Sequence, residues 1–314
     1  MDSGSNRGIR KRLLAAAVLV TVLLTAGILD APAARAQGGD DAAGECATKY
    51  PIVLVHGAGF RDTNAGINYW GRIPEYLEVR GAKICYGKTD GWGTVEENAV
   101  LLKARVEVVL AETGSEKVNI IAHSKGGLEA RYMISSLGME DKVASLTTIS
   151  TPHGGSKVMD DILGVPDFLL RAAALPTNLV RRIADDKNPD FYSGIQSLGR
   201  NYTKGFNAEN PDRDGVYYQS FAGELWAPAS DLLLSWPAYW IKSVDGPNDG
   251  MVTVESAKWT NFRGVLRGTG YRGVSHMDEV DFRREDLEIE PLLGATTVRG
   301  FYGAMVADLK QMGY

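Results

Sequence analysis

The sequence predicts an α/β fold: a mostly parallel sheet with helices on both faces and a helical insertion standing on the sheet's C-terminal edge. Three observations lead there. Runs such as Ile52-Val53-Leu54-Val55 are apolar at successive positions, as a strand buried on both sides requires. Segments with helical spacing of apolar residues alternate with these runs, the rhythm of βαβ units. After Ser150 the rhythm breaks. Residues 156–200 hold apolar pieces, among them Phe168-Leu169-Leu170, interrupted by Gly164, Pro166 and Pro176, and they read as the insertion.

The elements follow in order. Ile52–Val55 is the first strand, Tyr69 to Arg80 a helix ending at Gly81, and Lys83 to Tyr86 the next strand. Thr94 with Glu97 spells a capping box ahead of Val95, Ala99, Leu102, Val106 and Leu110 at helical spacing. Val118 to Ala122 is a third strand, Gly126 to Leu137 a helix closed by Gly138, and Val143 to Ile149 a fourth strand. The sheet is expected to resume at Val216 to Ala222 and again near Met251 to Val254, with a closing helix over 296–312.

The chain has 314 residues, 34 Lys and Arg against 39 Asp and Glu, and 44% hydrophobic residues. That composition excludes a disordered chain. Nucleic acid is not an expected partner, because the net charge is -5 and no basic stripe is present. Residues 1–36 read as a cleaved signal peptide: Arg7, Arg10, Lys11 and Arg12 precede the apolar run Leu13–Leu29, and Ala34-Arg35-Ala36 offers a cleavage site before Gln37. Residues 37–314 then form the exported domain, the alternative being a retained anchor. In such a protein Cys46 and Cys85 predict one disulfide. Two cysteines and four histidines leave little for a Cys/His zinc site.

Ala122-His123-Ser124-Lys125-Gly126 lies where a buried strand meets a helix. A serine on so tight a turn needs small residues two before and two after it, and Ala122 and Gly126 comply. Ser124 is therefore the expected nucleophile, with the Lys125 amide as one oxyanion donor at the helix N-terminus. The loop Val55-His56-Gly57-Ala58-Gly59-Phe60 follows the first strand and offers the Ala58 amide as the second. Serine needs a base. Of the four histidines, His56 and His153 read as turn residues and His123 adjoins Ser124, which leaves His276. The orienting acid should fall between them, and Asp249 in Asp245-Gly246-Pro247-Asn248-Asp249-Gly250 is favoured over Asp245.

These motifs, with Asn68-Tyr69-Trp70, Ile73-Pro74, Lys117-Val118-Asn119, Arg131-Tyr132, Thr151-Pro152-His153-Gly154-Gly155 and His276-Met277-Asp278-Glu279-Val280, resemble the secreted bacterial true lipases of the Pseudomonas and Burkholderia type. The resemblance covers most of 50–160 and patches of 245–282. It implies an α/β-hydrolase fold, hydrolysis of lipid or small carboxylic esters at a transient lipid–water interface, a helical lid, and the roles given above to Ser124, Asp249, His276, Ala58 and Lys125. It departs at Ala122 and Lys125. The family's structural calcium uses an acid at the place of Asp278, but Ala227-Pro228 and Phe282 stand where other ligands are expected. No cofactor is therefore expected, and Asp278 can form a salt bridge near the histidine loop instead. The Trp226 to Trp240 stretch can line an acyl groove or form core. Esterase, polyester depolymerase, thioesterase or acyltransferase chemistry on the same three residues stays open, as does a non-catalytic binding module.

Overall fold

The computed structural model describes residues 44–64, 67–164, 190–226, 231 and 234–314. The expected signal segment and the middle of the insertion, 165–189, lie outside them. In chain order the elements are β1 (Ile52–Val55), β2 (Thr63–Asn64), β3 (Ile67–Asn68), α1 (Ile73–Glu78), β4 (Ile84–Tyr86), α2 (Val95–Thr113), β5 (Val118–His123), α3 (Lys125–Ser135), β6 (Val143–Ile149), α4 (Lys157–Leu163), α5 (Phe191–Gln196), α6 (Arg200–Glu209), β7 (Tyr217–Glu224), α7 (Ser235–Asp245), α8 (Val254–Ala257), β8 (Phe262–Arg267), β9 (Glu288–Leu292), β10 (Ala295–Thr297) and α9 (Val298–Gln311).

Six strands form one sheet in the order β4-β1-β5-β6-β7-β8, and every pairing in it is parallel. The residues of β1, β5 and β6 are all buried, as expected of strands covered on both faces. Strand faces alternate. Ile52, Leu54, Ile121 and Phe221 pack with Leu77 of α1 and Phe301 and Tyr302 of α9. Val53, Val55, Ile120 and Ala122 pack on the other face with Leu102 and Val106 of α2 and Met133 of α3. From β1 the chain goes to β4 on one side and then to β5 on the other. That reversal opens a crevice beyond the C-terminal ends of β1 and β5, where ligands of open α/β sheets bind.

The capping box forms: the Glu97 amide donates to Thr94 Oγ1 at 3.1 Å, and the Thr94 amide to Glu97 Oε2 at 3.4 Å. Three sequence expectations need correction. Helix α1 starts later than Tyr69, because Asn68 turns the chain first: its side-chain oxygen takes the Trp70 amide at 3.0 Å and its carbonyl takes that of Gly71 at 3.1 Å. Met251 to Val254 is no strand. The Met251 and Val252 amides turn onto Asp249 Oδ1, and Thr253 caps α8 by accepting from the Ser256 amide. The strand beyond β7 is β8 instead.

Cys46 and Cys85 are free thiols, and the geometry of the sheet gives the reason. Cys46 belongs to the core on the α1/α9 face. On β4, Ile84 and Tyr86 pack against that same core, so the alternation of the strand turns Cys85 to the opposite face, beside the α2/α3 core.

His153, in the turn after β6, is buried. Its Nε2 lies 3.0 Å from Thr148 Oγ1 and its Nδ1 3.2 Å from Arg131 Nη1. Burial first, then the Arg131 charge, hold its pKa well below the usual 6.5. The stability this histidine contributes is therefore present above about pH 6.5 and lost as pH falls, because only the unfolded chain then takes up the proton. The unfolding free energy should drop between about pH 7 and about pH 5, by up to about 1.4 kcal/mol per pH unit per such histidine, and the melting temperature with it. In thermal denaturation series, His153→Gln should flatten that drop.

Candidate active site

Ser124 follows β5 directly and heads α3 with φ 56° and ψ −132°, a region sparsely populated by non-glycine residues. Close packing holds it there. A Cβ on Gly126 would lie 2.4 Å from the His56 carbonyl oxygen, and one on Gly127 2.0 Å from Thr151 Oγ1. Neither glycine can carry a side chain, so α3 starts hard against the β1 loop and the turn after β6. The Lys125 side chain is buried in an ion pair with Glu129, which also accepts from Asn98 Nδ2 at 2.7 Å. Its amide stays at the first turn of α3. Among the described residues neither the Lys125 nor the Ala58 amide has a backbone partner.

The Asp249 loop and the His276 loop meet above β7. The Leu225 amide donates to the Asn248 carbonyl at 2.8 Å, and the His276 amide to the Asp249 carbonyl at 2.9 Å. His276 Nδ1 lies 2.7 Å from Asp249 Oδ2, while Asp249 Oδ1 takes the Met251 and Val252 amides at 2.8 and 2.7 Å. Burial pushes the Asp249 carboxyl up. The charge and hydrogen bond of His276, with the two amides, outweigh that and hold it below the usual carboxylate range. An ionised Asp249 fixes the proton on Nδ1 and leaves Nε2 as the basic nitrogen.

The structure thus brings Asp249 and His276 together. It also sets the His276 ring 4.3 Å, centroid to centroid, from that of His123, the residue before Ser124. It does not hydrogen-bond the Ser124 hydroxyl to His276; such bonds commonly tighten only once substrate is bound. His56 is a turn residue, its Nδ1 2.8 Å from the Gly57 carbonyl oxygen and its Nε2 3.1 Å from that of Thr89.

Behind these groups lies a buried network that the sequence reading missed. His123 Nδ1 is 2.6 Å from the Tyr69 hydroxyl and its Nε2 3.0 Å from Glu279 Oε2. Ser150 Oγ donates to Glu279 Oε1 at 2.8 Å and accepts from the Gly223 amide at 3.1 Å. Burial, then the charge of Asp249, raise the Glu279 carboxyl well above its usual range. Burial, then the charge of His276, lower His123 well below its own. Burial thus disfavours the charged form of each. Potential ligand atoms of His123, His276 and Glu279 lie within 4.8 Å of one another, but hydrogen bonds already occupy both nitrogens of His123 and both oxygens of Glu279. The only local signal was the acidic pair after Met277, and nothing in it separates Glu279 from Asp278.

Asp278 is engaged elsewhere. Its Oδ2 takes the Ser275 amide and hydroxyl at 3.1 and 2.9 Å, and its Oδ1 takes Arg283 Nε at 3.1 Å. The salt bridge expected near the histidine loop is therefore present. Phe282 packs in an aromatic cluster, its ring 5.1 Å from Phe60. Ala227 and Pro228 lie outside the described residues.

Residues 50–222 match the family model for the alpha/beta hydrolase fold. A triacylglycerol lipase of Vibrio cholerae is 43% identical over 266 residues, covering 74% of this chain and 80% of that protein. A triacylglycerol lipase of Burkholderia plantarii is 31% identical over 248 residues, covering 73% and 69%. The crystal structure of a metagenomic carboxyl esterase superposes with a TM-score of 0.63 at 17% identity, over 95% of this chain and 91% of that one, a likeness of fold. With six parallel strands and a strained serine at the end of β5, the chain belongs to the α/β-hydrolase family, and within it to the bacterial true lipases.

Proposed function

We propose that this ester hydrolase is an exported triacylglycerol lipase that works through an acyl-enzyme on Ser124. The observation that carries the reading is the 2.7 Å Asp249–His276 hydrogen bond beside a serine held at φ 56°. His276 Nε2 takes the Ser124 proton as Oγ attacks the acyl carbonyl. The amides of Ala58 and Lys125 receive the oxyanion, a contribution of about 3–4 kcal/mol each. Collapse expels the alcohol, which takes its proton from the imidazolium. Water then attacks the acyl-enzyme with His276 again as base, and returns acid and free Ser124. Asp249 stays ionised throughout and stabilises the imidazolium.

The substrate class follows from what borders the site. Trp92, Met159 of α4, Tyr192 and Ile195 of α5 and Ile241 of α7 form an apolar cluster, with Ala58 and Met251 packed against it. In this reading α4 and α5 belong to a cap beside the acyl-binding region, and exposed Trp226 and Tyr239 touch the lipid surface. The names of the Vibrio and Burkholderia relatives support the same substrate. Of the Trp226 to Trp240 stretch, Leu232 and Leu233 lie outside the described residues.

Three outcomes test the proposal. Activity on emulsified long-chain triglyceride should exceed that on soluble short-chain esters in a chain-length series; preference for acetyl esters with no interfacial gain would make the protein a simple esterase. Ser124→Ala should lose roughly 10³-fold or more in kcat, together with labelling by a fluorophosphonate probe. Mass spectrometry of exported protein should place the mature N-terminus at Gln37, and an intact leader would indicate an anchored enzyme.

A further inference from the structure

The family's calcium would have to sit beside Asp278, and the donor chemistry there argues against a metal ion. Calcium is held by six to eight oxygens drawn from carboxylates, carbonyls and water. Here a guanidinium already lies between the two buried carboxylates. Arg283 Nη2 is 2.9 Å from Asp278 Oδ1 and 2.7 Å from Asp231 Oδ2, and it also donates to Ser275 Oγ at 2.8 Å. Arg283 Nε makes the second contact to Asp278 Oδ1. Asp231 and Asp278 are 2% and 5% exposed, so each needs a permanent counter-charge. Their remaining oxygens are also spoken for, Asp231 Oδ1 by the Leu234 amide at 3.1 Å and Asp278 Oδ2 by Ser275. Phe282, where an amide ligand is expected, offers no oxygen from its side chain.

We propose that Arg283 takes the place of the calcium ion: its guanidinium bridges Asp231 and Asp278 as a built-in cation. The bridge ties the residue that leads into α7 to the loop carrying His276. Since α7 runs on into the Asp249 loop, the clamp sets the spacing between the two loops whose side chains must meet. A guanidinium suits this task because its fork donates to several oxygens at once and never loses its proton. Arg283 is thus a positioning residue. Its link to catalysis rests on the function proposed above, whereas its link to calcium does not.

The test is thermal denaturation of the full-length protein with EDTA and with millimolar calcium chloride, a readout that needs no enzymatic activity. The wild type should melt at the same temperature in both. Arg283→Gln should melt roughly 5 °C lower or more in EDTA, and calcium should restore much of the loss by binding the two carboxylates that have lost their guanidinium. Calcium should also recover its ester hydrolysis, mainly in kcat. Arg283→Lys, which keeps the charge without the fork, should be destabilised yet indifferent to calcium. A wild-type melting temperature that falls in EDTA would overturn the proposal, as would an Arg283→Gln protein that melts like the wild type or ignores calcium. If that variant is insoluble, its recovery when refolded with calcium supports the proposal, and failure in both conditions together with a calcium-responsive Lys variant refutes it.

Discussion

The rest of the site depends on one backbone conformation, the left-handed turn at Ser124. A non-glycine residue held at such angles costs about 1–3 kcal/mol. The surroundings leave it no alternative: β5 is locked between β1 and β6, and α3 is pressed so closely against their loops that Gly126 and Gly127 have no room for a methyl group. The same closeness puts the Gly57 loop against the serine, where a Cβ on Gly57 would lie 2.8 Å from Ser124 Cβ. Ser124, the helix terminus and the loop bearing Ala58 are thereby fixed by one packing arrangement.

Around His276 the protein shifts two carboxyl groups in opposite directions. Asp249 and Glu279 are both fully buried, so burial alone would neutralise each. Asp249 keeps its charge because it faces the imidazole and two amides. Glu279 faces Asp249, and burial together with that charge pushes its carboxyl well above the usual range. Two anions in that space would repel each other and compete for His276. The opposite shifts make Asp249 the carboxyl that more readily holds its charge beside His276. Ser150, itself at φ 45°, holds the Glu279 carboxyl through Oε1 at 2.8 Å, and Tyr302 holds the main chain behind it, its hydroxyl donating to the Glu279 backbone carbonyl at 2.9 Å.

How much of this was legible in the sequence follows from the range of the interactions. Strands β1, β5 and β6, the box at Thr94 and the elbow at Ser124 are encoded within a few residues, and each lies where the pattern puts it. Strand β8 escaped because Arg263 and Arg267 interrupt its apolar character and most of its residues are only half-buried. Met251 and Val252 imitated a strand because their amides serve a carboxylate rather than a sheet. Nothing local distinguishes Glu279 or the bridging role of Arg283, since the partners that define them, His123 and Asp231, lie 156 and 52 residues away. The cysteine pairing failed for a similar reason: composition says how many thiols there are, and only the alternation of β4 says which face each one occupies.

Those two thiols bear on how the chain matures. With Cys46 embedded 3.7 Å from the Gly303 carbonyl oxygen and Cys85 across the sheet, no covalent bond closes any part of the fold. The folded chain therefore asks no oxidising enzyme for a Cys46–Cys85 bond, and a thiol reductant has no such bond to break.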